Sequence, residues 1–139
     1  TAALIWRDEF GRSFMRSGDI GVVDEDGFLK IVDRKKDMII SGGFNVFASD
    51  IESVIVQHPA VGDAAVIGVP HAKWGETPLA VVALRQGAVS TAHEIAEWAN
   101  QRLAKHQRIF AVELLAEFPR NALGKVLKRV LRERFGKVP

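Results

Sequence analysis

Cysteine is absent from this 139-residue chain. That excludes a disulfide framework, thiolate metal sites and a cysteine nucleophile. It also leaves the cytoplasm as the default compartment. No stretch reaches the roughly 18 consecutive apolar residues of a membrane span. No secretory signal pattern opens the sequence, and Thr1 runs straight into structured-looking sequence, a start without methionine that is also expected of an excised fragment. The phosphate loop GxxxxGK(S/T) is matched nowhere. His58, His71, His93 and His106 are scattered without the spacing of a helical metal motif, so no metal site is expected and each reads as a surface or turn residue. No nucleophile–base pair or carboxylate pair can be argued from spacing.

What is present is ordinary for a globular chain: 47% hydrophobic and 26% charged residues. The length suits one compact domain plus a short attached segment. The net charge of +2 is unevenly spread. Residues 1–33 hold four basic and seven acidic side chains, residues 34–118 eight and nine, and residues 119–139 seven and one. A C-terminal basic surplus suits a phosphate-bearing partner or an acidic surface, or simply a solvated helix end.

The pattern predicts a hairpin over Gly21–Val32, where two apolar runs flank Asp24-Glu25-Asp26-Gly27. One hairpin buries too little to stand alone, so it is expected to belong to a neighbouring body of which residues 1–18 are the frayed edge. The charge cluster Asp33–Asp37 reads as a boundary. Met38–Ile40 then reads as a short strand and Ser41-Gly42-Gly43 as a turn. Ser49 with Glu52 predicts a capping box, opening a helix with Ile51, Val54 and Ile55 on its apolar face. Strands follow at Asp63–Val69 and Pro78–Leu84, with Pro78 expected at the strand entrance, and the runs suit central strands covered by helices. Thr91 and Glu94 predict a second capping box. A third strand is expected at Val112–Glu117, a turn at Pro119–Gly124 and a basic helix at Val126–Phe135. The expected fold is α+β: a small three-stranded sheet with packed helices over residues 34–139, preceded by the hairpin.

Among residues able to do chemistry, Lys125 stands first. The turn Asn121-Ala122-Leu123-Gly124 projects it as a mobile point charge able to meet phosphate or carboxylate oxygens, although a surface lysine beside a helix start is the plainer reading. Gly42-Gly43, with Ser41 and Phe44 beside them, let backbone approach a ligand or simply turn. Asp33 and Arg34 sit where a hinge or a solvated linker would lie. Asp19, after Ser17-Gly18, can accept two hydroxyl hydrogen bonds or cap a local turn. Trp74 is as suited to packing as to an interface.

Four blocks carry a resemblance, in this order: RSGD at 16–19, DEDGFLKIVDRKKDMIISGGFNV at 24–46, IESVIVQHPAVGDAAVIGVPHAKWGE at 51–76 and PRNALGKVLKR at 119–129. Together they resemble the C-terminal part of the acyl-adenylate-forming superfamily, which includes acyl-CoA synthetases, 4-coumarate-CoA-like ligases, luciferases and peptide synthetase adenylation domains. The resemblance implies that residues 1–33 are the tail of a large N-terminal AMP-binding domain and residues 34–139 a mobile C-terminal domain. It implies an acid–thiol ligase that activates a carboxylic acid, with fatty acids favoured, using ATP and Mg2+, and passes the acyl group from acyl-AMP to CoA. By resemblance Asp19 binds ribose hydroxyls, Asp33 is the hinge, Arg34 a nucleotide-side contact and Lys125 the adenylation lysine. Ser41, Gly42, Gly43 and Phe44 line the thiol passage. Glu76 matches a glycine–glutamate position without an assigned role. The expected partners are the chain's own large domain, the acid, ATP and CoA, not nucleic acid, and the piece alone is expected to be inert.

Three departures accompany the resemblance. Ser17 replaces a usual threonine, Phe47-Ala48 replaces a usual aromatic–proline pair, and the family's own phosphate loop and acid pocket are missing. Two other readings remain: the C-terminal domain of a carrier-protein-loading adenylation enzyme, or a non-catalytic basic binding module with salt-dependent nucleic-acid affinity. An isolated domain is also expected to expose apolar surface through which copies could pair, as an oligomer or crystal dimer.

Overall fold

The computed structural model describes residues 4–137. It divides into two compact units, Thr1–Lys36 and Asp37–Pro139. Among the described residues no helix is long and apolar enough to cross a membrane.

The first unit is two antiparallel ribbons. β1 (Ile5–Arg7) pairs with β2 (Ser13–Met15), and β3 (Asp19–Val23) pairs with β4 (Leu29–Arg34). The second is the hairpin expected from the sequence. Its turn closes through the Gly27 N–H donating to the Asp24 carbonyl, while the Asp24 carboxylate accepts from the N–H groups of Asp26 and Phe28. Gly27 takes φ +86°, which glycine alone adopts cheaply. The segment expected as a frayed edge thus contains a further hairpin. Phe10, Met15, Val23, Phe28 and Leu29 are all exposed on these ribbons.

The second unit is a mixed α+β body around one sheet. β5 (Ile39–Ser41) and β6 (Phe44–Val46) form a tight hairpin. β7 (Val61–His71) and β8 (Gly75–Leu84) form a long one, and β9 (Ala111–Leu114) runs parallel to β8. The strand order is β6-β5-β8-β7, with β9 also on β8. The sheet therefore has five strands and not the expected three. The short hairpin joins through a single bridge, Ser41 to Gly75, which the apolar runs do not announce.

Helices α1 (Ala48–Ile55) and α2 (Ala92–Asn100) cover one face of the sheet, and α3 (Lys128–Phe135) covers the other. This is why β7 and β8 read as continuous apolar runs. Successive strand side chains alternate between faces. Ala64, Val66, Ala80 and Val82 pack with Ile51, Ile55, Ile95 and Ala99, whereas Ala65, Ile67, Leu79 and Val81 pack with Phe118 and Leu131. Each fully buried aliphatic side chain contributes about 1.5–3 kcal/mol against exposure.

Two further expectations need correction. Pro78 lies inside β8 opposite Gly68 and not at its entrance. It is tolerated because pairing with β9 starts only at Leu79, so its missing N–H falls between the Gly75 bridge and the parallel ladder. The capping box at Thr91 and Glu94 forms, but the one at Ser49 and Glu52 does not. α1 starts at Ala48 with Phe47 at its N-cap, and the Glu52 carboxylate instead reaches β7, accepting from the Val66 N–H at 2.7 Å. β7 is an edge strand, so Glu52 covers an N–H that the sheet leaves unpaired.

Candidate functional site

In the first unit, Asp19 and Arg34 face each other across β3 and β4, and Arg34 Nε lies 2.8 Å from Asp19 Oδ1. Asp19 is half-buried, and its N–H donates to Ser17 Oγ. Asp33 sits in β4 opposite Ile20, beside a register shift, and accepts from the Arg34 N–H at 2.7 Å. The Lys35 N–H donates to the Gly18 carbonyl, so the chain stays bound to this unit through Lys35. The ribbon thus holds one acid and one guanidinium as a cross-strand pair, two groups suited to hydroxyls and to phosphate.

In the second unit, Ser41, Gly42, Gly43 and Phe44 form the β5–β6 connection. Ser41 pairs with Phe44, and Gly42 and Gly43 take φ +57° and +84°. Two consecutive positive φ values in a two-residue loop make a type I′ turn, for which Gly-Gly is a preferred sequence. The Gly42 N–H donates to the Trp74 carbonyl at 2.9 Å. A methyl group at Gly42 would lie 2.9 Å from Trp74 Cε3. The glycine is therefore required twice, by its dihedral and by the indole above it. Trp74 is set by the β7–β8 turn, where His71 Nδ1 accepts from the Lys73 and Trp74 N–H groups, each at 3.2 Å.

A cavity of about 360 Å³ opens beside this loop. Ser41, Gly42, Phe44, Trp74, Thr77, Lys105, His106 and Arg108 line it. The His106 ring stacks on Phe44 at 5.3 Å. Two aromatic walls and two permanent cations suit an elongated ligand with an apolar stem and an anionic end. The sequence does not announce the wall from Lys105 to Arg108, and it leaves Trp74 equally suited to packing and to an interface. The weak signal available was Trp74-Gly75-Glu76. Glu76 has a structural place: its Oε2 accepts from the Ile40 N–H at 3.1 Å, tying β8 to β5.

Lys125 follows a turn shaped by Asn121, whose Oδ1 accepts from the N–H groups of Leu123 and Lys125 at 3.0 and 2.9 Å. Gly124, at φ +81°, donates its N–H to the Asn121 carbonyl. Leu123 is 93% exposed, so the tip of the turn is not seated by packing, while Val126 at its base packs against the cluster of Phe118 and Leu131. Four of the seven basic residues beyond Phe118 are paired with acids: Arg120 with Asp63, Lys128 with Glu52, Arg129 with Glu133 and Arg132 with Asp37. Lys125 is exposed and has no ion-pair partner among the described residues. The basic surplus is thus mostly consumed within the fold, and Lys125 is left available.

The two features of the second unit lie at opposite ends of one hairpin. The lysine turn is tied to Asp63 near the start of β7, and the glycine loop abuts Trp74 and Gly75 at the β7–β8 turn. Eight residues separate Asp63 from His71, roughly 26 Å at strand rise. Among the described residues no group of three or more histidines and acids is placed to hold a metal.

Residues 50–125 match the family model described as AMP-binding enzyme C-terminal domain. Over 129 residues the chain is 48% identical to the long-chain-fatty-acid–CoA ligase FadD13 of Mycobacterium tuberculosis, covering 93% of this chain and 25% of that protein. It is 42% identical over 127 residues to 2-succinylbenzoate–CoA ligase of Bacillus cereus, covering 91% and 26%. The crystal structure of ATP-bound MatB from Rhodopseudomonas palustris superposes with a TM-score of 0.84 at 40% identity, covering 94% of this chain and 26% of that one. The chain thus spans about a quarter of the length of the relatives it matches.

Proposed function

From the premise that this chain belongs to the AMP-binding enzyme C-terminal domain family of acyl-adenylate-forming ligases, we propose that it is the mobile domain of an ATP-dependent acyl-CoA synthetase. Residues 1–33 would close the large AMP-binding domain, Asp33 would be the hinge, and residues 34–139 would swing. The overall reaction joins a carboxylic acid to CoA in two steps. A carboxylate oxygen first attacks the α-phosphorus of ATP, and pyrophosphate leaves. The thiol sulfur then attacks the acyl carbon, AMP leaves, and the thiol proton is lost. We propose a fatty acid as the acid, on the strength of the 48% identity to FadD13. The enzyme would work in the cytoplasm with its own large domain as partner.

The observation that carries the reading is the separation of a free lysine and a glycine-walled cavity to opposite ends of the β7–β8 hairpin. One rigid body with two working ends serves two steps by turning. In the first orientation Lys125 would bring its ammonium to the carboxylate and α-phosphate, where negative charge builds as the bond to phosphorus forms. Asp19 would accept the ribose hydroxyls, and Arg34, paired with Asp19 across the ribbon, would face the nucleotide. Mg2+ would neutralise the ATP phosphates and would be held elsewhere in the longer protein. In the second orientation Ser41, Gly42, Gly43 and Phe44 would wall the passage for the thiol arm. Lys105 and Arg108 supply charge suited to the phosphates of CoA, which favours CoA over a carrier protein as acceptor.

The test uses the full-length protein. Lys125→Ala should slow ATP–pyrophosphate exchange by at least about 100-fold. Thioester formation from supplied acyl-AMP and CoA should be nearly unchanged. Retained exchange, or a parallel loss of both half-reactions, overturns the assignment.

A further inference from the structure

Asn121 fixes the shape of the Lys125 turn but not its direction. Leu123 lies in solvent, so its side chain does not seat the tip of the turn, and the nearest apolar anchor is Val126 at its base. The backbone bridge between Arg120 and Val126 closes the base of the turn. One side chain then joins its far limb to the sheet. The Arg120 guanidinium donates through Nη1 to the Gly124 carbonyl at 2.7 Å and through Nη2 to the Asp63 carboxylate. Asp63 is itself held, because its other oxygen accepts from the Ala64 N–H at 2.8 Å. A single planar group therefore connects the residue before Lys125 to the start of β7, using the fork geometry that arginine has and lysine lacks.

Stability does not account for this arrangement. The two side chains are 43% and 36% exposed, and an exposed pair contributes about 0–1 kcal/mol. Position does account for it. A tilt of the turn by about 10° moves an ammonium carried some 6 Å out by about 1 Å, and an error of that size costs up to about 100-fold in rate.

We propose that Asp63 and Arg120 are positioning residues, a two-point latch that aims Lys125 and serves the adenylation step alone. The proposal rests on the reading of Lys125 given above. Because the pair is exposed, its variants should fold, and the latch can be separated from a structural effect.

The experiment takes full-length enzyme with Arg120→Gln and Asp63→Asn, each alone and combined with Lys125→Ala. Both single variants should lower the kcat of ATP–pyrophosphate exchange by roughly 10- to 100-fold, with KM for ATP and for the acid little changed. Thioester formation from supplied acyl-AMP should be unaffected. In the Lys125→Ala background neither variant should cause a further loss, because there is no ammonium left to aim. Losses that multiply with Lys125→Ala, or a parallel loss of thioester formation, overturn the latch. So does normal exchange in Arg120→Gln when Lys125→Ala has lost it. If Lys125→Ala itself keeps normal exchange, the lysine assignment fails first and the latch falls with it.

Discussion

Replacing Glu52 separates two effects that one carboxylate combines. Its Oε1 accepts from the Val66 N–H at 2.7 Å and pairs with Lys128 Nζ at 2.7 Å, joining α1, the edge of β7 and α3. Val66 is fully buried. Glu52→Ala leaves its N–H without an acceptor, a loss of about 1–3 kcal/mol. Lys128 and Glu52 are about a fifth exposed, so the lost charge pairing adds only about 1 kcal/mol after solvent screening. Alanine's higher helix propensity offsets a few tenths. The expected destabilisation is about 3 kcal/mol for Glu52→Ala. Glu52→Gln keeps an oxygen for Val66 and loses only the charge, so it should cost about 1 kcal/mol. With a slope near ~1.5 kcal/mol per molar urea, the Ala variant should shift the midpoint by about 2 M and the Gln variant by less than half of that. Urea titration by circular dichroism measures both, and hydrogen exchange at the Val66 amide reads the local bond. Equal midpoints for Ala and Gln would refute the claim that the edge hydrogen bond dominates, and an unshifted Ala variant would refute the contact itself.

Gly42→Ala places a Cβ at φ +57° and 2.9 Å from the Trp74 ring. It should cost about 1–2 kcal/mol from the dihedral, visible as a lowered Tm. In full-length enzyme it should slow thioester formation while sparing pyrophosphate exchange. Thr91→Ala removes the α2 cap and should cost about 1 kcal/mol in a urea titration. The backbone N–H and hydroxyl of Thr91, and then the hydroxyl of Ser90, hold the Glu94 carboxyl below its ordinary value of 4.5. Its contribution is therefore present above pH 4.5 and fades as pH falls through the lower folded value. Glu94→Gln should flatten that part of the acid limb in a pH series of unfolding midpoints, and an unchanged limb would count against the cap.

What the sequence made legible is local. The Asp24–Gly27 turn, the cap at Thr91 and the apolar runs of β7 and β8 are each specified by neighbours in the chain, so period and turn chemistry suffice to read them. What it hid depends on long-range pairing. Glu52 follows Ser49 at capping-box spacing, yet its carboxylate serves Val66 and Lys128 because an edge N–H without a partner costs more than an uncapped helix start that water can reach. The β5–β6 hairpin lies outside the three-stranded sheet that the sequence predicts for a similar reason, since β5 joins β8 through one bridge. The charge pattern is the most instructive case. Seven basic residues after Phe118 suggest a basic surface for a polyanion, but Asp37, Glu52 and Asp63, distant in sequence, each take one of them, and Glu133 takes another. Spacing along the chain reveals only the Arg129–Glu133 pair within α3 and not the other three, whose acids come from other elements. Once those pairs are made, Lys125, Arg134 and Lys137 are the basic residues of this segment without an ion-pair partner among the described residues, and Lys125 alone of the three follows the Asn121–Gly124 turn, where the proposed latch would fix the direction in which it points.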